Sequence, residues 1–174
     1  HDHGPLGAAF YPRAMERQLE IMRDMGVNAI RTSHNAPAAE LLDLCDRMGF
    51  VVWDEAFDKW DGTADRVKGQ PPLEPYAQRH IQNLAMRDRN HPCVVVWSIG
   101  NEIGAGAREG VTPERVKILS DFFRAVDPTR PVGMACHIPN MAEQPHFEAL
   151  DVTGWNYARR YAIMRERYPD KPIL

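Results

Sequence analysis

Six short runs of apolar, largely β-branched residues recur along the chain, each separated from the next by a longer segment of different period. The runs are Val27 to Thr32, Phe50 to Asp54, Val94 to Ile99, Pro131 to Ala135, Val152 to Trp155, and Pro172 to Leu174. Their unbroken hydrophobicity suits strands covered on both faces, and their alternation with helical segments is the signature of βαβ units around a parallel sheet. Leu41, Leu44, Cys45 and Met48 repeat at helical spacing, as do Val116, Leu119, Phe123 and Val126, and Met15, Leu19 and Met22. Gly26 and Gly49 follow two of these stripes as helix stops, and Thr112 before Pro113 reads as an N-cap. One connection is longer, from Glu55 to Pro92.

Pattern alone leaves a doubly wound sheet and an eight-stranded barrel both open. A complete barrel takes about 250 residues, so in 174 residues the barrel reading is short by about two strands. His1-Asp2-His3-Gly4 at one end and a strand just starting at Lys171-Pro172-Ile173-Leu174 at the other both read as cuts.

A formal charge of -3 with mixed signs gives no basic stripe for nucleic acid and no polybasic segment for a membrane surface. No run approaches the roughly 20 apolar residues of a membrane span, and the sequence sets no compartment. Cys45, Cys93 and Cys136 are odd in number, far apart and embedded in apolar runs, which reads as buried free thiols. No phosphate loop, dinucleotide fingerprint or Gly-x-Ser-x-Gly elbow is present, so neither cofactor-dependent redox chemistry nor serine hydrolysis is supported, and no cofactor is expected.

Polar and ionisable residues gather just past the C-terminal ends of the expected strands: Arg31 with His34, Asp54 with Glu55, Asn101 with Glu102, and Asn156 with Tyr157. A parallel barrel builds its active site at that end. Val94 to Glu102 is the sharpest element, a buried strand ending in an amide and a carboxylate. Partial burial and neighbouring charge can raise such a carboxyl toward the range of a general acid.

Arg31-Thr32-Ser33-His34, Asp54-Glu55-Ala56, Arg87-Asp88-Arg89-Asn90-His91-Pro92, Trp97-Ser98-Ile99-Gly100-Asn101-Glu102 and Val126-Asp127-Pro128-Thr129-Arg130-Pro131 occur in this order. Together they resemble the catalytic barrel of glycoside hydrolase family 2, β-galactosidase-like, across essentially the whole chain. The resemblance implies a (β/α)8 barrel of which about strands two to seven are present, with residues 1–174 forming part of the catalytic domain of a larger multidomain glycosidase. It makes Glu102 the general acid/base and gives Asn101 to the sugar 2-hydroxyl. Arg31 would lie beneath the nucleophile and keep it ionised, and His34 would line the sugar pocket. Asp54, Glu55, Asn156 and Tyr157 become pocket or supporting groups, with Trp155 an apolar wall against the sugar ring. His1, Asp2 and His3 fall at the end of the first strand, near the pocket rather than on a metal; His91 orders the turn into the Val94 strand, and His137 can reach the site.

Two departures from the better-known large β-galactosidases stand out. Asn35-Ala36-Pro37 replaces the usual Tyr-Pro, and Phe57-Asp58-Lys59-Trp60 replaces a Thr-His-Gly segment. Asp58 and Lys59 are candidate sugar contacts, although a solvated loop explains their charge equally well, and Trp60 could stack on a sugar. Trp97 reads as core or pocket floor. The expectation is retaining hydrolysis of terminal β-D-galactosides, with a glutamate nucleophile beyond Leu174, no metal and an inactive isolated chain. Its partners are a carbohydrate substrate, the remaining barrel strands and accessory β-domains. Alternatives are β-glucuronidase or another member of the family, and, from another class, a non-catalytic carbohydrate-binding barrel.

Overall fold

The computed structural model describes residues 3–60, 73–103, 112–137, 145–157 and 161–174. Five strands, β1 (Ala29–Arg31), β2 (Val51–Glu55), β3 (Val94–Asn101), β4 (Val132–Cys136) and β5 (Val152–Trp155), form one parallel sheet in sequential order. The last expected run pairs beside β5, where Ile173 bridges Thr153 and Leu174 donates its N–H to the Thr153 carbonyl at 2.9 Å. Sequential parallel order separates the two architectures left open by the pattern, because a doubly wound sheet must reverse its strand order. The molecule is a half-barrel.

Helices α1 (Pro12–Asp24), α2 (Ala39–Met48), α3 (Leu73–Asp88), α4 (Pro113–Val126) and α5 (Tyr161–Arg167) supply the other half of the βα units. Gly26 and Gly49 follow α1 and α2 with φ of 85° and 80°, and the Thr112 hydroxyl accepts the Arg115 N–H at 3.2 Å to start α4. The long connection contains α3, which no sequence stripe announced. Its buried contacts come from Ala77, Ile81, Leu84 and Ala85, and two alanines make too faint a stripe to read. Among the described residues no helix is long and apolar enough to cross a membrane.

The main core lies between helices and sheet, where Leu19, Leu42, Ile81, Leu119 and Phe123 meet Val52, Val94, Trp97, Val132 and Met134. Strand residues alternate between this face and the barrel interior, and β3 departs from strict alternation twice. Val52 pairs with Val94 but Trp53 pairs with Val96, so Val95 is an extra residue; Ser98 pairs with Gly133 but Asn101 pairs with Ala135, so a second extra residue lies between them. Such bulges re-aim the side chains that follow. The first sends Trp97 to the helix side, where it stacks on Phe123 at 5.2 Å, so Trp97 is core and not pocket floor.

The three cysteines are buried and form no disulfide; burial pushes the Cys45 thiol up to about 12.

Asp127 closes the α4–β4 turn. Its carboxylate accepts the Trp97 indole N–H at 3.0 Å, the Thr129 N–H at 3.0 Å and the Arg130 guanidinium at 2.6 Å, while Arg130 also donates to the Val94 carbonyl at 2.6 Å. Burial pushes the Asp127 carboxyl up, but the bonds from Thr129, Arg130 and Trp97 outweigh it and hold the group down to about 2. A carboxyl depressed on folding contributes stability above its unfolded value, near 3.9, and that stability disappears as pH falls toward 2; a shift of this size is worth about 2 kcal/mol. Asp127→Ala should cost about 3–5 kcal/mol at pH 7, because it strands a buried indole N–H and a guanidinium. Urea denaturation of the full-length protein between pH 2 and 7 checks both, and the gap between wild type and variant should narrow below pH 4.

Candidate active site

Glu55 is the centre of the polar cluster at the C-terminal end of the sheet. Its side chain is fully buried, so its charge must be matched by bonds. Oε2 accepts from Arg31 Nε at 2.9 Å and from the Ser98 hydroxyl at 2.8 Å, and Oε1 lies 2.7 Å from His34 Nδ1. The Glu55 backbone N–H donates to the Thr32 hydroxyl at 2.9 Å, which ties the ends of β1 and β2 together.

Arg31 spreads its remaining donors across the sheet. Nη1 donates to Asn156 Oδ1 at 3.2 Å and Nη2 to Asn101 Oδ1 at 2.7 Å. Below it lies Trp53, whose ring centroid is 5.5 Å from the guanidinium carbon. The indole reaches across the barrel interior to β4 and β5, where a methyl group added at Gly154 would sit 2.7 Å from both the ring and the Met134 carbonyl, and one at Gly133 would sit 3.1 Å from the ring. Residues larger than glycine at these two positions would displace the Trp53 ring on which Arg31 rests.

The end of β3 is shaped by Gly100, with φ 155° and no room for a side chain between Ile103 and Trp60. Glu102 follows in the left-handed region at φ 49°, and Tyr157, beyond β5, is left-handed at φ 67°. Side chains rarely adopt this conformation, and it concentrates at functional sites. The two residues meet. The Tyr157 hydroxyl acts on the Glu102 carboxylate, Asn156 Nδ2 donates to Glu102 Oε1 at 3.2 Å, and His137 Nδ1 lies 3.8 Å from the same oxygen. Burial pushes the Glu102 carboxyl up, but the Tyr157 hydroxyl, the nearby His137 and the bond from Asn156 together leave it below its usual range. In this chain, then, the expectation of a raised Glu102 is reversed. The Glu102 carboxylate raises the Tyr157 phenol in turn.

Arg31, His34, Glu55, Asn101, Glu102, Asn156 and Tyr157 are therefore in one connected cluster, and His137 joins it. Asp54 does not. It follows Trp53 by one position, so it faces the helices, fully buried beside Asp88. Burial, and then the Asp88 carboxylate, push the Asp54 carboxyl well above the carboxylate range, while Arg87 grips Asp88 at 2.6 and 2.7 Å. Trp60 is no stacking platform either: it is 2% exposed and donates its indole N–H to the Ile99 carbonyl at 2.9 Å. Trp155 is buried in the core cluster while also bordering the cavity on the interior face. His3 is buried and packs edge-on to Phe10 at 6.3 Å; His1 and Asp2 lie outside the described residues.

Sequence reasoning missed Trp53 and Ser98, both inward-facing. Period-two counting back from Glu55 finds Trp53; Ser98 is found only once the bulge is known.

A second cluster could hold a metal on composition, since Asp46, His91 and Cys93 bring donor atoms within 4.8 Å of one another. Those atoms are already matched. His91 Nδ1 lies 2.7 Å from Asp46 Oδ2, and the Cys93 N–H donates to Asp46 Oδ1 at 2.8 Å, so the group fastens the turn into β3 onto α2.

The family model for the TIM barrel domain of glycosyl hydrolases family 2 matches residues 1–168. The chain belongs to glycoside hydrolase family 2. The β-galactosidase BoGH2A of Bacteroides ovatus is 38% identical over the whole of this family 2 barrel segment, which spans 24% of that protein. A putative β-glucuronidase of Formosa agariphila is 39% identical over 73% of the chain and 12% of its own length. A solved family 2 member from Bacteroides cellulosilyticus superposes with a TM-score of 0.83 at 39% identity, over 99% of this chain and 23% of that one. The chain thus spans about a quarter of the length of the Bacteroides ovatus and Bacteroides cellulosilyticus relatives.

Replacing Arg31 by Met should leave the buried Glu55 charge without its main partner, at a cost of about 3–5 kcal/mol. Replacing Gly154 by Ala should cost about 1–3 kcal/mol through overpacking against Trp53. Denaturation midpoints of the two variants of the full-length protein check the pair, and a smaller loss for the arginine change than for the glycine change contradicts the central role of Glu55.

Proposed function

We propose that the protein carrying this chain is a retaining exo-β-glycosidase acting on terminal β-D-galactosides, with residues 1–174 forming part of its catalytic barrel. The setting of Glu102 carries this reading: a carboxylate at the end of a rigid strand, in a strained left-handed conformation, bonded by Asn156 and facing His137. A helix cap or loop glutamate has no need of strain or of three polar neighbours. In this reading Glu102 protonates the departing glycosidic oxygen and then activates water, Asn101 binds the sugar 2-hydroxyl, and Trp155 and Tyr157 flank the sugar.

An acid must hold its proton, whereas the partners of Glu102 keep the carboxyl low. A retaining enzyme supplies the missing influence, since its nucleophile is a second carboxylate about 5–5.5 Å away. A like charge at that distance raises Glu102 before the first step. Once the nucleophile is esterified by the sugar its charge is gone, Glu102 falls back, and it serves as base for the incoming water. The same His137 and Tyr157 contacts that oppose the acid role support the base role.

Similarity to a named β-galactosidase over the whole chain favours galactoside; the putative β-glucuronidase makes glucuronide the second reading. The paired Asn101 and Glu102 speak against a barrel that only binds sugar.

In the full-length protein, Glu102→Gln should slow hydrolysis of glycosides with poor leaving groups by about 10²–10⁴-fold, the usual worth of general acid catalysis, and activated aryl glycosides far less, with azide restoring part of the second step. Equal losses on both substrate types, without rescue, remove Glu102 from the acid/base role. Among aryl β-galactoside, β-glucoside, β-glucuronide and β-mannoside at equal concentration, galactoside should turn over fastest; a lead by glucuronide overturns the substrate and leaves the mechanism standing.

A further inference from the structure

Asp58 sits in the Phe57-Asp58-Lys59-Trp60 segment that follows β2, and that segment is sewn to the end of β3. The Ala56 N–H donates to the Ser98 carbonyl at 3.0 Å, the Asn101 N–H to the Asp58 carbonyl at 2.7 Å, and the Trp60 indole to the Ile99 carbonyl. On this framework the Asp58 side chain reaches Asn101, whose Nδ2 donates to Asp58 Oδ1 at 3.0 Å.

The hydrogen-bonding capacity of Asn101 can be counted completely. An amide oxygen has two lone pairs and an amide nitrogen two hydrogens. Both lone pairs are taken, by Arg31 Nη2 at 2.7 Å and by Asn156 Nδ2 at 2.9 Å, and one hydrogen goes to Asp58. One N–H remains. The partners also settle which way round the amide lies: turned over, it would set its NH2 against two donors and its oxygen against the Asp58 carboxylate.

We propose that Asp58 is a positioning residue that fixes the orientation of the Asn101 amide, so that its last N–H is presented to the 2-hydroxyl of the sugar; this rests on the glycosidase reading above. Arg31 and Asn156 hold the oxygen side of the amide, and among the described residues Asp58 alone holds the nitrogen side. Lys59 Nζ lies 3.3 Å from both Asp58 oxygens, including the Oδ1 that accepts the Asn101 N–H at 3.0 Å. Because the Asp58 side chain is about half exposed and its main-chain carbonyl keeps the Asn101 N–H whatever the side chain, removing the carboxylate leaves no buried cavity.

The test compares an aryl β-galactoside with its 2-deoxy analogue in the full-length enzyme. Asp58→Ala should lower kcat/KM for the 2-hydroxy substrate by about 10- to 100-fold, the worth of a charge-assisted bond that orders a reacting contact, and change the 2-deoxy substrate by less than about threefold. Asp58→Asn keeps an oxygen acceptor toward Asn101 and should restore most of the loss. In an Asn101→Ala background, Asp58→Ala should cost nothing further. Equal losses on both substrates, or additive losses in the double variant, overturn the assignment and instead make Asp58 a direct sugar contact or a fold residue. A wild-type enzyme that hydrolyses neither substrate brings down the proposed function, and this inference with it; an active wild type with the unselective pattern brings down this inference alone.

Discussion

The Arg31 guanidinium and the Glu55 carboxylate meet at the end of the sheet with the acid wholly buried, and a buried charge left without its partner is more costly than almost any other single defect. The other polar side chains are arranged as consequences of that pairing. Arg31 can satisfy Glu55 with part of its fork and still reach Asn101 and Asn156, so one planar group fixes residues from three other strand ends relative to one another. Asn156, placed by its N–H bond to the Cys136 carbonyl at 2.8 Å, then carries the constraint on to Glu102. The position of the proposed acid is thereby set by a chain of short bonds that begins at a group which never needs to touch the bond being cleaved.

Much of this was legible in the sequence because it depends on local chemistry. The strand runs, the stripe of Leu41, Leu44, Cys45 and Met48, the cap at Thr112 and the gathering of Arg31, Glu55, Asn101 and Glu102 at strand ends all follow from period and composition. What was not legible depends on neighbours far away in the chain. Asp54 and Glu55 are adjacent and chemically alike, yet one faces Asp88 and the helices while the other faces Arg31; period alone separates them only when the inward face is known. Trp60 looked like a sugar platform because tryptophan often is one, and only the carbonyl of Ile99 shows why it is buried instead.

The expected rise of Glu102 failed for a related reason. Burial does act on the carboxyl in the expected direction, but it is outweighed by groups from β4 and β5, His137, Asn156 and Tyr157. Their hold on Glu102 is set by two strands folding beside it, which no local pattern in Val94 to Glu102 reveals. Asp58 reads equally as sugar contact or solvated loop on the same ground: its bond to Asn101 spans 43 residues.

The two extra residues in β3 decide which side chains the interior receives. Were Val95 paired in regular register instead of bulged, Trp97 in place of Ser98 would stand opposite Glu55; were the stretch after Ser98 paired without its bulge, Gly100 in place of Asn101 would stand opposite Ala135. The strand therefore behaves like a text with a reading frame. Losing a paired residue of this stretch shifts the meaning of the letters after it and turns polar groups outward into the oily layer, whereas losing an extra one removes the bulge and leaves the frame intact. Substitutions along this stretch grade in their effects, whereas a change in its length that no bulge absorbs moves a whole set of side chains to the other face.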